Sequence, residues 1–262
     1  MPFSRKKPEI QGGLSGTALK YIAMTTMLAD HIGAVQLERI VYYRGNLEQV
    51  AMLMTSQWGD TLYWLWRMLR TVGRIAFPIY CFLLVEGFLH TRDWRRYWLR
   101  MAAFALISEI PFRLAVWNTW AGGSSNVYVE LAIGLLVLRG LKQSEGLTQP
   151  RRAAGMAAVI GGGCLAAEFL KADYDMDGIL IISLFYLLRE KRIVQVMSGG
   201  ILSLLESWNM CYGAGILSAV PLYFYNGKKG QAPWKYAFYW FYPLHLMVLF
   251  FIRLYVVGIP LG

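Results

Sequence analysis

Long apolar runs alternate with short polar segments along the whole chain. Nine runs stand out, and most approach the roughly 20 residues that an α-helix needs to cross about 30 Å of hydrocarbon. The pattern therefore predicts an all-α polytopic membrane protein with about nine transmembrane helices. The predicted spans are residues 17–37, 73–91, 97–117, 125–141, 152–171, 177–189, 193–207, 209–225 and 235–257.

The segment that leads into the second run has a different character. Residues 60–72, "DTLYWLWRMLRTV", combine aromatic side chains with Arg67 and Arg70. A helix with this mixture is typical of the boundary between membrane and water. We therefore expect an interfacial helix near 60–72, outside the nine spans.

Basic side chains between the runs predict an orientation. Every basic cluster falls on the same side of the membrane if the helices alternate, and positively charged loops stay in the cytoplasm. This predicts a cytoplasmic tail at residues 1–16, an external C-terminus, and one domain over residues 1–262. The clusters are Arg5, Lys6 and Lys7; Arg92, Arg95, Arg96 and Arg100; Arg139, Lys142, Arg151 and Arg152; Arg189, Lys191 and Arg192; and Lys228, Lys229 and Lys235.

The composition agrees with a membrane protein. The 262 residues are 56% hydrophobic and 16% charged, against about 45–50% and about 25% in a typical soluble domain. The net charge of +10 is spread over short loops, which argues against a nucleic-acid partner. Cys81, Cys164 and Cys211 are isolated in apolar sequence, so we expect neither a disulfide framework nor a metal site.

The first run contains an acid and an imidazole side by side, Asp30 and His31. Ionisable groups inside a span are costly and mark function by default. Lys20 lies eleven residues before His31, so the two share a helix face about 16 Å apart along the axis, whereas Asp30 points about 100° away. This stripe suits an elongated anionic substrate that inserts end-on, with His31 as general base. Asp30 is expected either to orient His31 or to bind another helix, and simple helix packing is the alternative.

Spans two and three carry two pairs at i,i+4 spacing, Glu86 with His90 and Glu109 with Arg113. Members of such a pair share a helix face. For Glu109 and Arg113 an intrahelical salt bridge is the favoured interpretation. Arg74, at the outer end of span two, offers Glu109 an alternative partner.

Prolines interrupt spans two and nine. Pro78 predicts a kink or a re-entrant turn, because it removes a backbone hydrogen bond. Pro243 precedes His245, which the run places near the middle of the membrane. His245 is either a second wall of the site or a buried hydrogen-bond partner.

The stretch "DYDMDG", Asp173–Gly178, resembles the start of a calcium-binding loop. The twelfth position of such a loop needs a bidentate glutamate, and here it is Leu184, so the calcium interpretation fails. Asp173 lies on the predicted outer side. The loop is expected either to hold a cationic acceptor or to form a solvated turn.

Six segments together resemble the TraX family of integral membrane proteins, which is named after a conjugative-plasmid protein that acetylates the pilin N-terminus. The resemblance runs from about Leu19 to Leu249. The family is similar to larger transmembrane acyltransferases of surface glycans, which place a basic residue, ten residues and a catalytic histidine in the first helix, as Lys20 and His31 do here. The segments are "LKYIAMTTMLADHIG", "GRIAFPIYCFLLVEGFLHT", "RMAAFALISEIPF", "ADYDMDG", "YNGKKG" and "KYAFYWFYPLHL".

The resemblance implies a multi-pass acetyltransferase of the bacterial inner membrane. Acetyl-CoA would be the cytoplasmic co-substrate, without a metal, and the acceptor would be an amine or hydroxyl of pilin or a surface glycan outside. His31 would be the general base in a direct transfer, and a ping-pong reaction through an acetylated His31 is the alternative. The carboxylates expected to orient His31 are Asp30, Glu86 and Glu109. The residues expected to stabilise the oxyanion or to bind the acceptor are Arg74, Arg113, Asp173 and His245. The residues expected to bind acetyl-CoA are Lys20, His90, Arg92, Arg95 and Arg96.

A transporter for a small anionic or proton-coupled solute is the rival interpretation. Polar groups at mid-membrane and helices broken by proline suit it equally well. It predicts two roughly repeated halves, which the sequence does not display, and no binding of CoA.

Overall fold

The described part of the chain is built from α-helices. The computed structural model describes residues 12–38, 55, 58–231, 234 and 236–257. Within those ranges there is no strand, only the isolated bridge between Leu14 and Tyr225, so the all-α prediction is confirmed. The basic residues Arg5, Lys6, Lys7 and Lys235 lie outside the described residues. The α-helices are α1 Gly16–Ile32, α2 Gly59–Gly73, α3 Ala76–His90, α4 Trp94–Phe112, α5 Val127–Ser144, α6 Arg151–Phe169, α7 Asp175–Leu187, α8 Arg192–Glu206, α9 Trp208–Cys211, α10 Ala219–Tyr223 and α11 Ala237–Ile252.

Single turns of wider or tighter helix extend several of these elements. The π-helical segments Gly33–Leu37, Arg113–Trp117 and Arg253–Val257 continue α1, α4 and α11, and the 3₁₀ turn Ala214–Ser218 precedes α10. Two segments among the described residues are long and apolar enough to cross a membrane, Gly59–His90 and Ala237–Tyr255. The first of them comprises α2, a short turn and α3.

The eighth predicted span is not a continuous helix. Residues 209–225 instead form α9, a 3₁₀ turn and α10. The break occurs because Tyr212 and Gly213 have φ values of 50° and 75°, a left-handed backbone that ends a helix. An apolar run reports burial, and it does not reveal this local backbone geometry.

Pro78 lies in the first turn of a helix, where proline costs no backbone hydrogen bond. The chain turns at Arg74 and Ile75, and Pro78 is the third residue of α3. The first N–H groups of a helix have no intrahelical acceptor, so a proline there removes no bond. The predicted kink at Pro78 is therefore wrong, because α3 continues unbroken from Ala76 to His90, and the turn at Arg74 and Ile75 separates α3 from α2.

The core lies where α3, α5 and α7 meet. Ile79 and Val85 of α3, and Ile182 and Phe185 of α7, are fully buried. Gly134 of α5 allows the close approach, because a Cβ atom there would meet the Ile182 Cδ1 atom at 2.5 Å. Helix α1 packs on this core through α3 and also contacts α2 and α11. These contacts fix the depth of the side chains of α1.

The segment before α1 is bonded to the loop after α10. Leu14 N–H donates to the Phe224 carbonyl at 2.7 Å, and Asn226 N–H donates back to the Leu14 carbonyl at 2.8 Å. Gly16 N–H and Thr17 N–H donate to the carbonyls of the neighbouring residues 228 and 229 at 2.8 and 2.9 Å. The start of the first helix is thus held by a loop more than two hundred residues later, and Lys229 comes to lie near Lys20.

Candidate functional site

Two histidines from opposite ends of the chain form the centre of the site. The His31 Nδ1 atom of α1 lies 2.6 Å from the His245 Nε2 atom of α11. The His245 Nδ1 atom lies 2.6 Å from the Phe241 carbonyl oxygen, so this nitrogen must carry the donating proton. With one proton on each ring, His245 Nε2 accepts and His31 Nδ1–H donates. This assignment from the hydrogen-bond network leaves the lone pair on His31 Nε2 available as a base.

Aromatic rings enclose the two imidazoles. The His31 and His245 rings have centroids 4.8 Å apart and planes inclined by 21°, as an in-plane hydrogen bond between them requires, and Phe241 stacks on His245 with centroids 4.6 Å apart. Tyr242 meets both imidazoles edge-on at 5.8 Å. Both histidines are buried. Of the two roles considered for His245, hydrogen-bond partner and wall of the site, the geometry therefore gives it both.

Asp30 does not orient His31. Its carboxylate instead accepts from Arg70 of α2 at 2.7 Å and from Arg74 at 3.0 and 3.1 Å. Side-chain direction explains this, because residue 30 points away from the face that His31 shares with Lys20. Gly73 makes the contact possible, since a Cβ atom there would overlap the Asp30 side chain. Asp30 thus binds another helix, the second of the two expected roles.

The guanidinium groups around Asp30 belong to a larger charged recess on the side of the α6–α7 loop. Arg74 also approaches the Glu206 carboxylate at 3.9 Å. Asp173 is accessible to solvent, but protein crowds it closely, and this crowding raises the pKa of its carboxyl to about 7. Arg74 and Arg70 act to lower that pKa, whereas Asp30 and Glu206 act to raise it. Glu38 adds a further carboxylate, 3.5 Å from the Arg70 guanidinium, so the acids of the recess outnumber its two arginines.

A cavity of about 540 Å³ opens on the other side of the histidines. Its cationic lining residues are Lys20, Arg100 and Lys229, with His90 beside them, and its remaining lining is mostly aromatic and apolar. Four segments therefore bring basic side chains to one cavity. Such a lining attracts an anionic ligand.

The expected acetyl-CoA residues divide into two groups. Lys20 and His90 line the cavity, whereas Arg92, Arg95 and Arg96 are exposed beyond it. Arg96 pairs with Asp93 at 3.0 Å instead. Arg100 and Lys229 line the cavity but were not singled out from the sequence, although both belong to basic clusters that indicated the orientation.

The two remaining predicted carboxylates are not beside His31. Glu86 lines the cavity, and the Tyr225 hydroxyl donates to it at 3.4 Å. Glu109 forms the expected intrahelical pair with Arg113 at 2.8 Å and accepts from the Asn126 amide at 2.6 Å. The alternative pair of Glu109 with Arg74 is wrong, because Arg74 is bound to Asp30. A second histidine, not a carboxylate, is bonded to the proposed base.

Tyrosines separate the cavity from the histidines. Tyr128 lines the deep part of the cavity, and its hydroxyl donates to the Tyr239 carbonyl at 3.1 Å. Tyr242 packs edge-on against Tyr128 at 5.2 Å and against His31 at 5.8 Å. His31 is not among the described residues that line the cavity. The shared face is nevertheless confirmed, because Lys20 lies over Phe238 of α11 while His31 contacts His245 of the same helix.

One buried acid, Glu130, was not among the site residues predicted from the sequence. Glu130 in the first turn of α5 is fully buried, and neither of its carboxyl oxygens has a hydrogen-bond partner among the described residues. It packs so closely on Gly178 that a Cβ atom there would meet it at 2.5 Å. A glutamate inside the apolar run "VYVELAIGLLVL" was the signal that should have marked it.

The fold and the site define an all-α protein whose helices hold a buried histidine pair between a charged recess and a cation-lined cavity. Comparison with protein families assigns it more closely: residues 15–253 match the family described as "TraX protein", so the chain belongs to the TraX family. It is 29% identical over 248 residues to the "Probable fimbrial assembly protein FimC, serogroup H1" of Dichelobacter nodosus, covering 82% of this chain and 93% of that relative. No solved structure matches the chain.

Proposed function

We propose that the protein is a multi-pass acetyltransferase of the bacterial inner membrane. It moves an acetyl group from cytoplasmic acetyl-CoA to an amine or hydroxyl of an acceptor outside the cytoplasm. The fimbrial assembly protein to which the chain is similar favours a pilin as that acceptor, and a surface glycan is the other candidate. The observation that carries the proposal is the His31–His245 bond between a cationic cavity and a charged recess.

The cavity is the proposed site of acetyl-CoA. Its basic residues come from α1, α4 and the loop after α10, and basic loops stay in the cytoplasm. The cavity therefore opens to the cytoplasm, where CoA is found. Lys20, Arg100 and Lys229 bind the phosphates of CoA. The thioester extends toward Tyr128, and Tyr242 must move for it to reach His31.

The proposed reaction is direct acyl transfer. The His31 Nε2 lone pair takes the proton of the acceptor amine or hydroxyl while that atom attacks the thioester carbonyl carbon. His245 stabilises the resulting imidazolium, because its Nε2 atom accepts from His31 Nδ1–H. The tetrahedral intermediate then collapses, the carbon–sulfur bond breaks, and the departing thiolate receives the proton from His31. Atoms and charges balance without a metal or an oxidant.

The charged recess is the proposed acceptor side. Arg70 and Arg74 supply N–H donors for the developing oxyanion, while Asp30 holds them in place. Asp173 offers a carboxylate to a cationic group on the acceptor. Arg113 has no part in this scheme, because it is paired with Glu109 near Asn126.

Two measurements test the proposal. Saturable stabilisation of the detergent-purified protein by acetyl-CoA, seen as a rise in melting temperature, tests the cavity. Mass spectrometry of pilin and surface polymers, from cells with the wild-type chain and with His31→Gln, tests the reaction. We expect an acetylated product only with wild type, at equal protein levels. No stabilisation by acetyl-CoA, together with identical surface products in both strains, would refute the proposal and favour a transporter.

A further inference from the structure

The cavity has a chemical order along its length. Its lining follows α3 from Tyr80 to His90 and continues to Thr91 just after it, a length of about 16 Å at 1.5 Å per residue. His90 lies at one end of this wall. One turn deeper come Glu86 and Gly87, and deeper still the wall is formed by Leu84 and Tyr80. The surface thus changes from basic, through a single acid, to apolar and aromatic.

Glu86 is the one carboxylate among the described residues that line the cavity. It is buried at 6% exposure, and the Tyr225 hydroxyl donates to its Oε2 atom at 3.4 Å. The Arg192 guanidinium lies over the Tyr225 ring at 5.7 Å. The Tyr225 hydroxyl, with the Arg192 guanidinium over the Tyr225 ring, therefore fixes the position of the carboxylate on the wall.

A carboxylate in this position is selective. It repels phosphate, so the polyanionic part of a ligand must stay with Lys20, Lys229 and Arg100. It favours a neutral part that donates hydrogen bonds, because hydrogen bonds to ionised acceptors are about twice as strong as those between neutral groups. A ligand that fits the whole wall has an anionic head, a neutral chain with N–H donors, and an apolar or acyl end. An acyl thioester on a pantetheine arm has these parts in this order, and its arm carries two amides.

We propose that Glu86 recognises the pantetheine arm of the acyl donor by accepting a hydrogen bond from an arm amide. This inference rests on the proposed function and assigns each part of the donor to different residues of the cavity. Lys20 and Lys229 bind the head, Glu86 binds the arm, and Tyr225 holds Glu86 in place. Glu86 is then a residue that determines donor specificity, in place of the role beside His31 that the sequence suggested.

Two donors separate these roles, acetyl-CoA and S-acetylpantetheine, which has the arm but neither phosphate nor adenine. With the full-length protein in detergent, Glu86→Leu is expected to raise KM by the same factor for both donors, about tenfold to a hundredfold, the range for losing a hydrogen bond to a charged group. The value of kcat should change little. Lys20→Met is expected to raise KM for acetyl-CoA alone.

Matched variants complete the test. Glu145→Leu removes a partly buried carboxylate that is paired with Arg189 at 2.7 Å outside the cavity, and it should leave both KM values unchanged. If Glu86→Leu does not fold, Tyr225→Phe, which removes the hydroxyl that holds Glu86, should raise both KM values together by a smaller factor. A loss confined to acetyl-CoA, or a fall in kcat with unchanged KM, would overturn the inference. Failure of the wild-type protein to use either donor would refute the proposed function itself, whereas the other outcomes leave that function standing.

Discussion

His31 and His245 are 214 positions apart in the chain, and a 2.6 Å contact joins their imidazole rings. The direction of this hydrogen bond is fixed from outside the pair, because His245 donates its other proton to the Phe241 carbonyl. A histidine thus takes the place that a carboxylate occupies in the Ser-His-Asp arrangement. It holds one tautomer of its partner without bringing a permanent negative charge into an apolar setting.

The first prediction concerns that tautomer. His245→Leu should lower kcat for acetyl transfer by about 100-fold or more, because His31 loses the acceptor that fixes its proton on Nδ1. His245→Gln should retain part of the activity, since its side-chain oxygen can accept in place of Nε2. Steady-state transfer from radiolabelled acetyl-CoA measures both. Equal losses in the two variants would mean that His245 only fills space.

The second prediction concerns the buried ion pairs. Asp30→Asn removes the carboxylate that both Arg70 and Arg74 bind at 2.7 to 3.1 Å, and breaking a buried pair in this way costs about 3–5 kcal/mol. A marked fall in melting temperature is expected. Arg96→Gln is the comparison, because the Arg96–Asp93 pair is exposed and such pairs contribute at most about 1 kcal/mol. Similar melting temperatures for the two variants would contradict this account.

The third prediction uses two helical glycines. Gly73→Ala should destabilise the protein by about 1–3 kcal/mol, because the new methyl group overlaps Asp30 and must displace it. Gly161→Ala in α6 is the control, since nothing lies within 4 Å of its position, and removing a helix glycine there should be neutral or stabilise by up to about 1 kcal/mol. Thermal unfolding of the two variants side by side gives the answer. Equal stability of the two variants would contradict the close contact between Gly73 of α2 and Asp30 of α1.

The fourth prediction follows from the pKa of Asp173, which is raised to about 7. Below that pH the carboxyl is protonated and neutral, so its attraction for a cationic acceptor is lost; above it the attraction is complete. With a synthetic peptide that has a free amino terminus as acceptor, KM should therefore rise as the pH falls through about 7. Asp173→Asn should have a high KM with little dependence on pH over that interval. A wild-type KM that stays flat through this interval would exclude Asp173 from acceptor binding.

Local patterns within one helix predicted the structure well. The spacing of Lys20 and His31 put both on one face of α1, as the structure has them, and the Glu109–Arg113 pair formed as expected. These features depend only on the 3.6-residue helical repeat. The apolar runs likewise located α1, α3 to α8 and α11, because burial of apolar side chains sets the boundaries of helices within a few residues.

The sequence did not predict which helices contact one another. Nothing in the order of residues indicates that α2, expected to lie at the membrane surface, brings Arg70 to Asp30, or that α11 returns to α1. Helix adjacency is decided by how whole surfaces pack, and one chain offers many equivalent pairings. The left-handed backbone at Tyr212 and Gly213 was hidden for a different reason, because the surrounding composition remains apolar throughout the turn.

The hydrogen bonds between residues 13–17 and the loop at 224–229 carry a consequence for biosynthesis. A ribosome releases the start of α1 long before it has made residue 224, and the nine described helices α2 to α10 are synthesised in between. Lys20 and Lys229, which lie on opposite sides of this junction, can only meet near the end of translation. The cavity proposed for the acyl donor is thus completed late in synthesis, after most of the helices that surround it have been made.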